Sequence, residues 1–396
     1  MIITPKQSLF FLIVIVVSMS TAVAFTLGDQ NQNLFLVGVM AFSPFIITIY
    51  HKLYRSDILL LLFLLNIAVF PPITNPESMR WSTVMYSFMF GLTFLAYKQL
   101  LYQKPLAIEM YQKLLKYLIY AYFIVLLIQQ FSVLTGLPIL NLREYDVINP
   151  WKLSSLSSEP SHSGRIVGIL MYCYLTVREI VLKEKYDFIL NIKQDRWPWI
   201  AFVWTMISMG SGTAFIFLGF VLLKIIRIKN ITAILVIGLI ISFVLVFLSI
   251  DSLERAWNFA VAILTFSPDT MMKEDHSASM RIVPLILLSS MLDISSLSGW
   301  FGHGVDSVSA IMSSMIPGTP EGFSGGGLLQ IWYEYGFLSF ALFVLFSFLA
   351  TYNKQDHISI IFWFMVVFIS TVNSQIVWLS IILLFTNKYF MLTRKI

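Results

Sequence analysis

The chain has 396 residues, of which 58% are hydrophobic and only 12% charged, and it carries a formal net charge of +5. A water-soluble domain has roughly 45–50% apolar and about 25% charged residues, so this chain has too little polar material to coat a soluble surface. Lipid must solvate most of it. Apolar stretches recur along the whole length, which predicts a single integral membrane domain over 1–396. The cations form no patch with interleaved aromatics, which argues against a nucleic-acid partner.

A spanning helix needs about 20 mostly apolar residues. On that measure the predicted segments lie near 8–26, 34–49, 58–71, 82–97, 115–135 and 166–182, then 198–209, 213–226, 231–250, 328–350, 358–373 and 375–387. The expected fold is an all-α polytopic membrane protein with about twelve transmembrane helices. Lys6, the first apolar run and Ala22-Val23-Ala24 also resemble a signal peptide, but the many later segments favour a retained helix. Cys173, the lone cysteine, sits inside an apolar run, so no internal disulfide can form.

Positive charge collects on cytoplasmic loops. Alternating sides from an inner Lys6 places 19 of the 26 Lys and Arg inside, and leaves Arg80, Arg143, Lys152, Arg165, Arg255, Lys273 and Arg281 outside. Both termini are then cytoplasmic. Segments 198–209 and 213–226 are each short for a span at about 1.5 Å per residue. Fusing them would invert the later charge count, so two short helices hinged at Gly210-Ser211-Gly212 are expected.

Two long extracytoplasmic loops are predicted, 136–165 and 251–327, and function tends to lie on such loops. In the second, Arg281 heads an apolar stretch to Asp293 that reads as an interfacial helix. Acidic residues outnumber cations there, so any anion site must be local.

Ser157-Ser158-Glu159-Pro160-Ser161-His162-Ser163-Gly164-Arg165 is the richest polar cluster. Glu159 or His162 could move a proton and Arg165 could hold a phosphate; equally, a serine could cap the helix while Arg165 anchors it at the interface. Arg255 and Arg281 suit a phosphate or diphosphate bidentately, or else snorkel. Gly210-Ser211-Gly212-Thr213 could offer Ser211 and Thr213 at a helix start to an anion, or merely break the helix. Gly302-His303-Gly304 and Gly325-Gly326-Gly327 lack the context of dinucleotide or phosphate-loop motifs. No spacing points to a metal, so no cofactor is expected.

Taken in order, four features resemble the O-antigen polymerase and ligase superfamily (Wzy-like membrane glycosyltransferases). They are Ser158-Glu159-Pro160-Ser161 before a helix; Gly210-Ser211-Gly212-Thr213; Arg281 leading to Gly302-His303-Gly304; and Gly327 through Glu334-Tyr335-Gly336 opening the next helix. The resemblance covers roughly 150–350. Ligases of this group place a His before that last helix, where this chain has Ser324-Gly325-Gly326-Gly327. That departure favours a repeat-unit polymerase over a ligase.

The resemblance implies a GT-C-like bacterial inner-membrane enzyme acting outside on an undecaprenyl-diphosphate-linked glycan, with a chain-length regulator and a flippase as partners beside membrane lipids. It gives Arg281 and Arg255 the diphosphate, with Arg165 a third candidate, and Glu159 or His162 the acceptor hydroxyl. His303 and Asp306 stand in reserve, and Glu334 falls in the substrate-binding set. A flippase or other transporter is the alternative class, although few segments carry the intramembrane charges such a protein uses.

Overall fold

In this computed structural model the described residues are 4–22, 25–27, 30–74, 76, 79–103, 105–141, 149–226, 258–259, 261–274, 276–316 and 325–393. Their regular structure is helical apart from a short antiparallel pairing of Phe25–Leu27 (β1) with Gln30–Gln32 (β2). Each predicted apolar segment overlaps helix except 231–250, which lies outside the described residues; the first, predicted over 8–26, is helical only to Ser20, and Phe25–Leu27 is extended. Among the described residues four helical stretches are long and apolar enough to cross a membrane, Arg55–Ile73, Ile108–Thr135, Gly327–Thr351 and Gln375–Thr393. Their outward faces are apolar at helical spacing. Ile58, Leu62, Leu65, Val69 and Ile73 form one such exposed stripe, and Ile124, Leu127, Ile128, Phe131 and Leu134 another. Stripes of this kind suit lipid as the solvent, the mark of a membrane-embedded protein.

The chain divides into two compact units. One comprises 1–4, 39–103 and 258–382. It contains most of Leu34–Tyr50 (α2), then Ile58–Thr74 (α3) and Trp81–Tyr102 (α4). Pro268–Glu274, His276–Met291, Leu297–Phe301 and Ser307–Met315 follow, and then Gly327–Thr351. Its core is aromatic: the buried Trp378 indole meets Phe90, Phe94, Phe343 and Phe346. Gly91 of α4 lets α3 approach, since a Cβ there would come within 2.9 Å of the Leu64 side chain. Asp57 and Lys98 pair in the interior, and Ser56 Oγ accepts from Lys98 Nζ at 2.6 Å. Burial, and then the Asp57 carboxylate, push the nearby Tyr54 hydroxyl above its ordinary range. Within 251–327 the described residues pack into a core that includes Met271, Met280, Leu288, Val308 and Met312 and is shared with Tyr333 of Gly327–Thr351.

The other unit comprises 5–38, 104–257 and 383–396. It holds Pro5–Ser20 (α1), Ile108–Thr135 (α5), Pro160–Leu182 (α6), Phe188–Ser208 (α7) and Gly212–Leu223 (α8). Helix α6 is its axis: every residue from Ser163 to Arg178 is buried. Glycine makes this possible at the α6–α8 contact. A Cβ at Gly164 would lie 2.8 Å from Ala214 Cα, and one at Gly168 would lie 2.8 Å from Phe217 Cβ, the small-xxx-small packing of membrane helices. Asp195 of α7 ties the helices together, accepting from Tyr174 Oη (2.6 Å), Arg178 Nε (3.0 Å) and Tyr186 Oη (3.1 Å). Burial, then the Asp195 charge, raise the Tyr186 hydroxyl.

Helix α7 therefore starts ten residues before its apolar part, at an Asp187 cap whose carboxylate accepts from Ile189 N and Leu190 N at 3.1 and 3.3 Å. The chain then breaks at Gly210, φ +63°, before α8.

Gly164→Ala is expected to lower stability by about 1–3 kcal/mol, because the Ala214 backbone cannot yield. Gly38→Ala, with open space around its Cβ, should be neutral or stabilising by up to about 1 kcal/mol. Thermal unfolding of the two variants in detergent checks this; equal midpoints would contradict the close α6–α8 packing.

Candidate functional site

Two polar clusters gather residues singled out in the sequence, one at a helix break and one at a helix start. In the first, Gly327–Thr351, here α13 when Pro268–Glu274, His276–Met291, Leu297–Phe301 and Ser307–Met315 are α9 to α12, is interrupted at Gly336 with φ 87° and ψ 164°. A break inside an apolar helix frees carbonyls that lipid cannot satisfy. Here the loop after α11 supplies the donors: His303 N–H bonds the Tyr333 carbonyl at 2.8 Å and Gly304 N–H the Glu334 carbonyl at 3.3 Å. The two segments touch backbone to backbone. A Cβ at Gly302, φ 92°, would sit 2.2 Å from the Glu334 carbonyl oxygen, and one at Gly336 would sit 2.0 Å from that of Trp300. The His303 ring stacks on Tyr333, centroids 4.2 Å apart, with Nδ1 3.1 Å from the same Tyr333 carbonyl.

This joint brings together His303, Asp306 and Glu334, three residues singled out in the sequence. Asp306, at φ 64°, caps α12 in a left-handed conformation. Its carboxylate meets Arg80 Nη1 at 3.2 Å and the Thr83 hydroxyl at 3.4 Å. Glu334 is fully buried. It accepts from Val308 N–H at 3.3 Å and from Gln330 Nε2 at 3.0 Å. A small cleft beside it, about 10 Å³, is lined by Thr83, Gln330, Ile331, Glu334, Tyr335, Thr371, Val372 and Asn373. The sequence placed Arg80 among the outer cations without tying it to a site, and nothing singled out Thr83. The signal for Gln330 was present: Gln330 and Glu334 are four apart and so share one helix face in an apolar run.

Arg281 belongs to the helical backbone of α10, and Arg255 lies outside the described residues. The serines and the amide that cap Asp293 lower its carboxyl: Ser295 donates from both Oγ (2.7 Å) and N (2.8 Å).

The second cluster opens α6. Pro160 occupies the first turn and Glu159 the N-cap position, yet the Glu159 side chain does not cap. It points outward, 57% exposed, accepts from Ser161 Oγ at 3.1 Å and lies 3.9 Å from His162 Nε2. His162 Nδ1 is 2.9 Å from Ser158 Oγ. Beneath this pair, Ser157 and Ser163 hydroxyls meet at 2.7 Å, and the Gln129 amide satisfies Ser155. Arg165 is buried along α6. Ser211 takes the N-cap position of α8 with no side-chain cap bond, and Thr213 is half-buried in its first turn. The Trp151-Lys152 backbone passes Gly210, since a Cβ there would lie 3.8 Å from the Trp151 carbonyl oxygen. An exposed carboxylate beside an imidazole, over buried hydroxyls, is equipped to orient a hydroxyl and take its proton.

Set against protein-family models, characterised proteins and solved structures, the chain matches none.

Substituting Gly336 or Gly302 by Ala should destabilise by about 2 kcal/mol or more, because a Cβ would need positive φ and overlap a carbonyl. Arg80→Ala removes an exposed ion pair worth only about 0–1 kcal/mol and should unfold near the wild-type temperature. Thermal melts of the purified variants separate these outcomes; a wild-type melt for Gly336→Ala would contradict the interlocked break.

Proposed function

We propose that the chain is a polymerase of lipid-linked oligosaccharide repeat units, making O-antigen, capsule or exopolysaccharide. It would do so as an inner-membrane protein of about twelve spans, with cytoplasmic termini and its chemistry on the extracytoplasmic side. The observation that carries the reading is the joint at the α13 break. Gly302-His303-Gly304 and Glu334-Tyr335-Gly336, far apart in sequence, carry two parts of the resemblance and hold one another by direct backbone bonds. The Ser158–Ser161 stretch and the 210–213 break likewise share one unit.

The step breaks the anomeric carbon–oxygen bond to the diphosphate of one undecaprenyl carrier and forms a carbon–oxygen bond to a hydroxyl of the incoming repeat unit. The hydroxyl proton passes to Glu159 or His162, and undecaprenyl diphosphate departs. Diphosphate is a good leaving group, so Arg281 and Arg255, with Arg165 as a third, would act by stabilising its developing charge. Orientation of the acceptor hydroxyl supplies the rest. A chain-length regulator and a flippase are the protein partners of such a scheme. A ligase of the same superfamily is the near alternative.

A transporter is the second reading, and one observation favours it: a buried carboxylate, Glu334, beside a break in a membrane-length helix is a common way to build an ion or substrate path.

A strain lacking the chain is expected to display single repeat units in place of a polymer ladder on a gel. Complementation should restore the ladder, while correctly inserted Arg281→Ala and Glu159→Gln should lower polymer yield by roughly 10²-fold. Loss of all surface glycan with lipid-linked units retained inside would support the transporter; unattached full-length polymer would support the ligase.

A further inference from the structure

We infer that the cleft beside Glu334 binds a monovalent cation of sodium size. The cleft holds about one water-sized body, at about 10 Å³, and its polar lining is all oxygen-bearing: Thr83, Gln330, Glu334, Tyr335, Thr371 and Asn373. Hard oxygen donors of this kind select alkali and alkaline-earth ions over softer metals.

Two lining groups are unspent. Among the described residues neither Gln330 Oε1 nor the Tyr335 hydroxyl has a hydrogen-bond partner, although both side chains are more than nine-tenths buried. Buried polar atoms without partners are costly and rare. A bound cation would satisfy the Gln330 oxygen and the Tyr335 oxygen lone pairs together.

Charge decides the valence. Glu334 is the one carboxylate lining the cleft, and among the described residues no Lys or Arg pairs with it, Arg80 being engaged by Asp306. In its ionised form this carboxylate carries one negative charge, which one monovalent ion balances, whereas a divalent ion would leave the cleft positive. The inference stands on this geometry and is independent of the polymerase reading.

The purified full-length protein in detergent should be melted in sodium, potassium and choline chlorides at equal ionic strength, with radiolabelled sodium binding measured in parallel. The expected result is a melting temperature that rises with the logarithm of sodium concentration, a smaller rise in potassium and none in choline, with saturable sodium binding near one ion per chain. Glu334→Gln, which keeps the shape and removes the charge, should abolish both signals. Thr83→Val, at the edge of the cleft, should weaken sodium binding several-fold without lowering the melting temperature in choline. Identical melts in the three salts, absence of saturable sodium binding to the wild type, or an undiminished sodium response in Glu334→Gln would overturn the inference.

Discussion

The structure depends most on a requirement of the apolar phase: a helix interrupted in lipid must find donors for the carbonyls it releases. In Gly327–Thr351 the interruption falls at Gly336, and the donors come from residues about thirty positions earlier, the His303 and Gly304 N–H groups. Two glycines make the contact possible, Gly302 and Gly336, each facing a carbonyl at a distance that excludes any side chain. The polar cluster follows from that contact. Fixing the 302–304 loop sets Asp306 at the head of α12, and its position in turn gathers Arg80 and Thr83.

The other unit obeys the same chemistry through a different device. Helix α6 is buried from Ser163 to Arg178, so its polar residues need internal partners: Ser163 meets Ser157 at one end, and Tyr174 and Arg178 meet Asp195 at the other. Gly164 and Gly168 bring α8 close enough for dispersion to replace the hydrophobic driving force that lipid denies. Glu159 and His162 stand at the mouth of α6, outside its buried stretch, with Glu159 57% exposed.

Most helices were legible in the sequence because a bilayer imposes a length of apolar run that composition alone reveals. The beginnings were less so. Helix α7 starts at Phe188, well before the apolar residues of 198–208, because Asp187 caps it and Asp195 is satisfied by two tyrosines and an arginine; hydropathy counts those charges against a helix. The region 251–327 reads as a loop because its helices are short and polar between, yet Met271, Leu288 and Met312 give it a core. The glycine and acid motifs were visible, but not that Gly302 and Glu334 meet, a tertiary fact that no local period encodes. Arg80 was missed for the same reason, since its partner Asp306 lies far along the chain.

The proposed chemistry asks little of covalent catalysis and much of placement: guanidinium groups for a leaving diphosphate, and a carboxylate or imidazole for an acceptor hydroxyl. The wet Glu159–His162 pair and the glycine-interlocked Glu334 joint are the two places where this chain collects such groups. The most direct measurement is chain extension by the purified protein in liposomes supplied with lipid-linked repeat units. The account predicts elongated glycan on the carrier with one undecaprenyl diphosphate released per linkage formed. Movement of intact units across the bilayer, with no elongation and no diphosphate release, would contradict it.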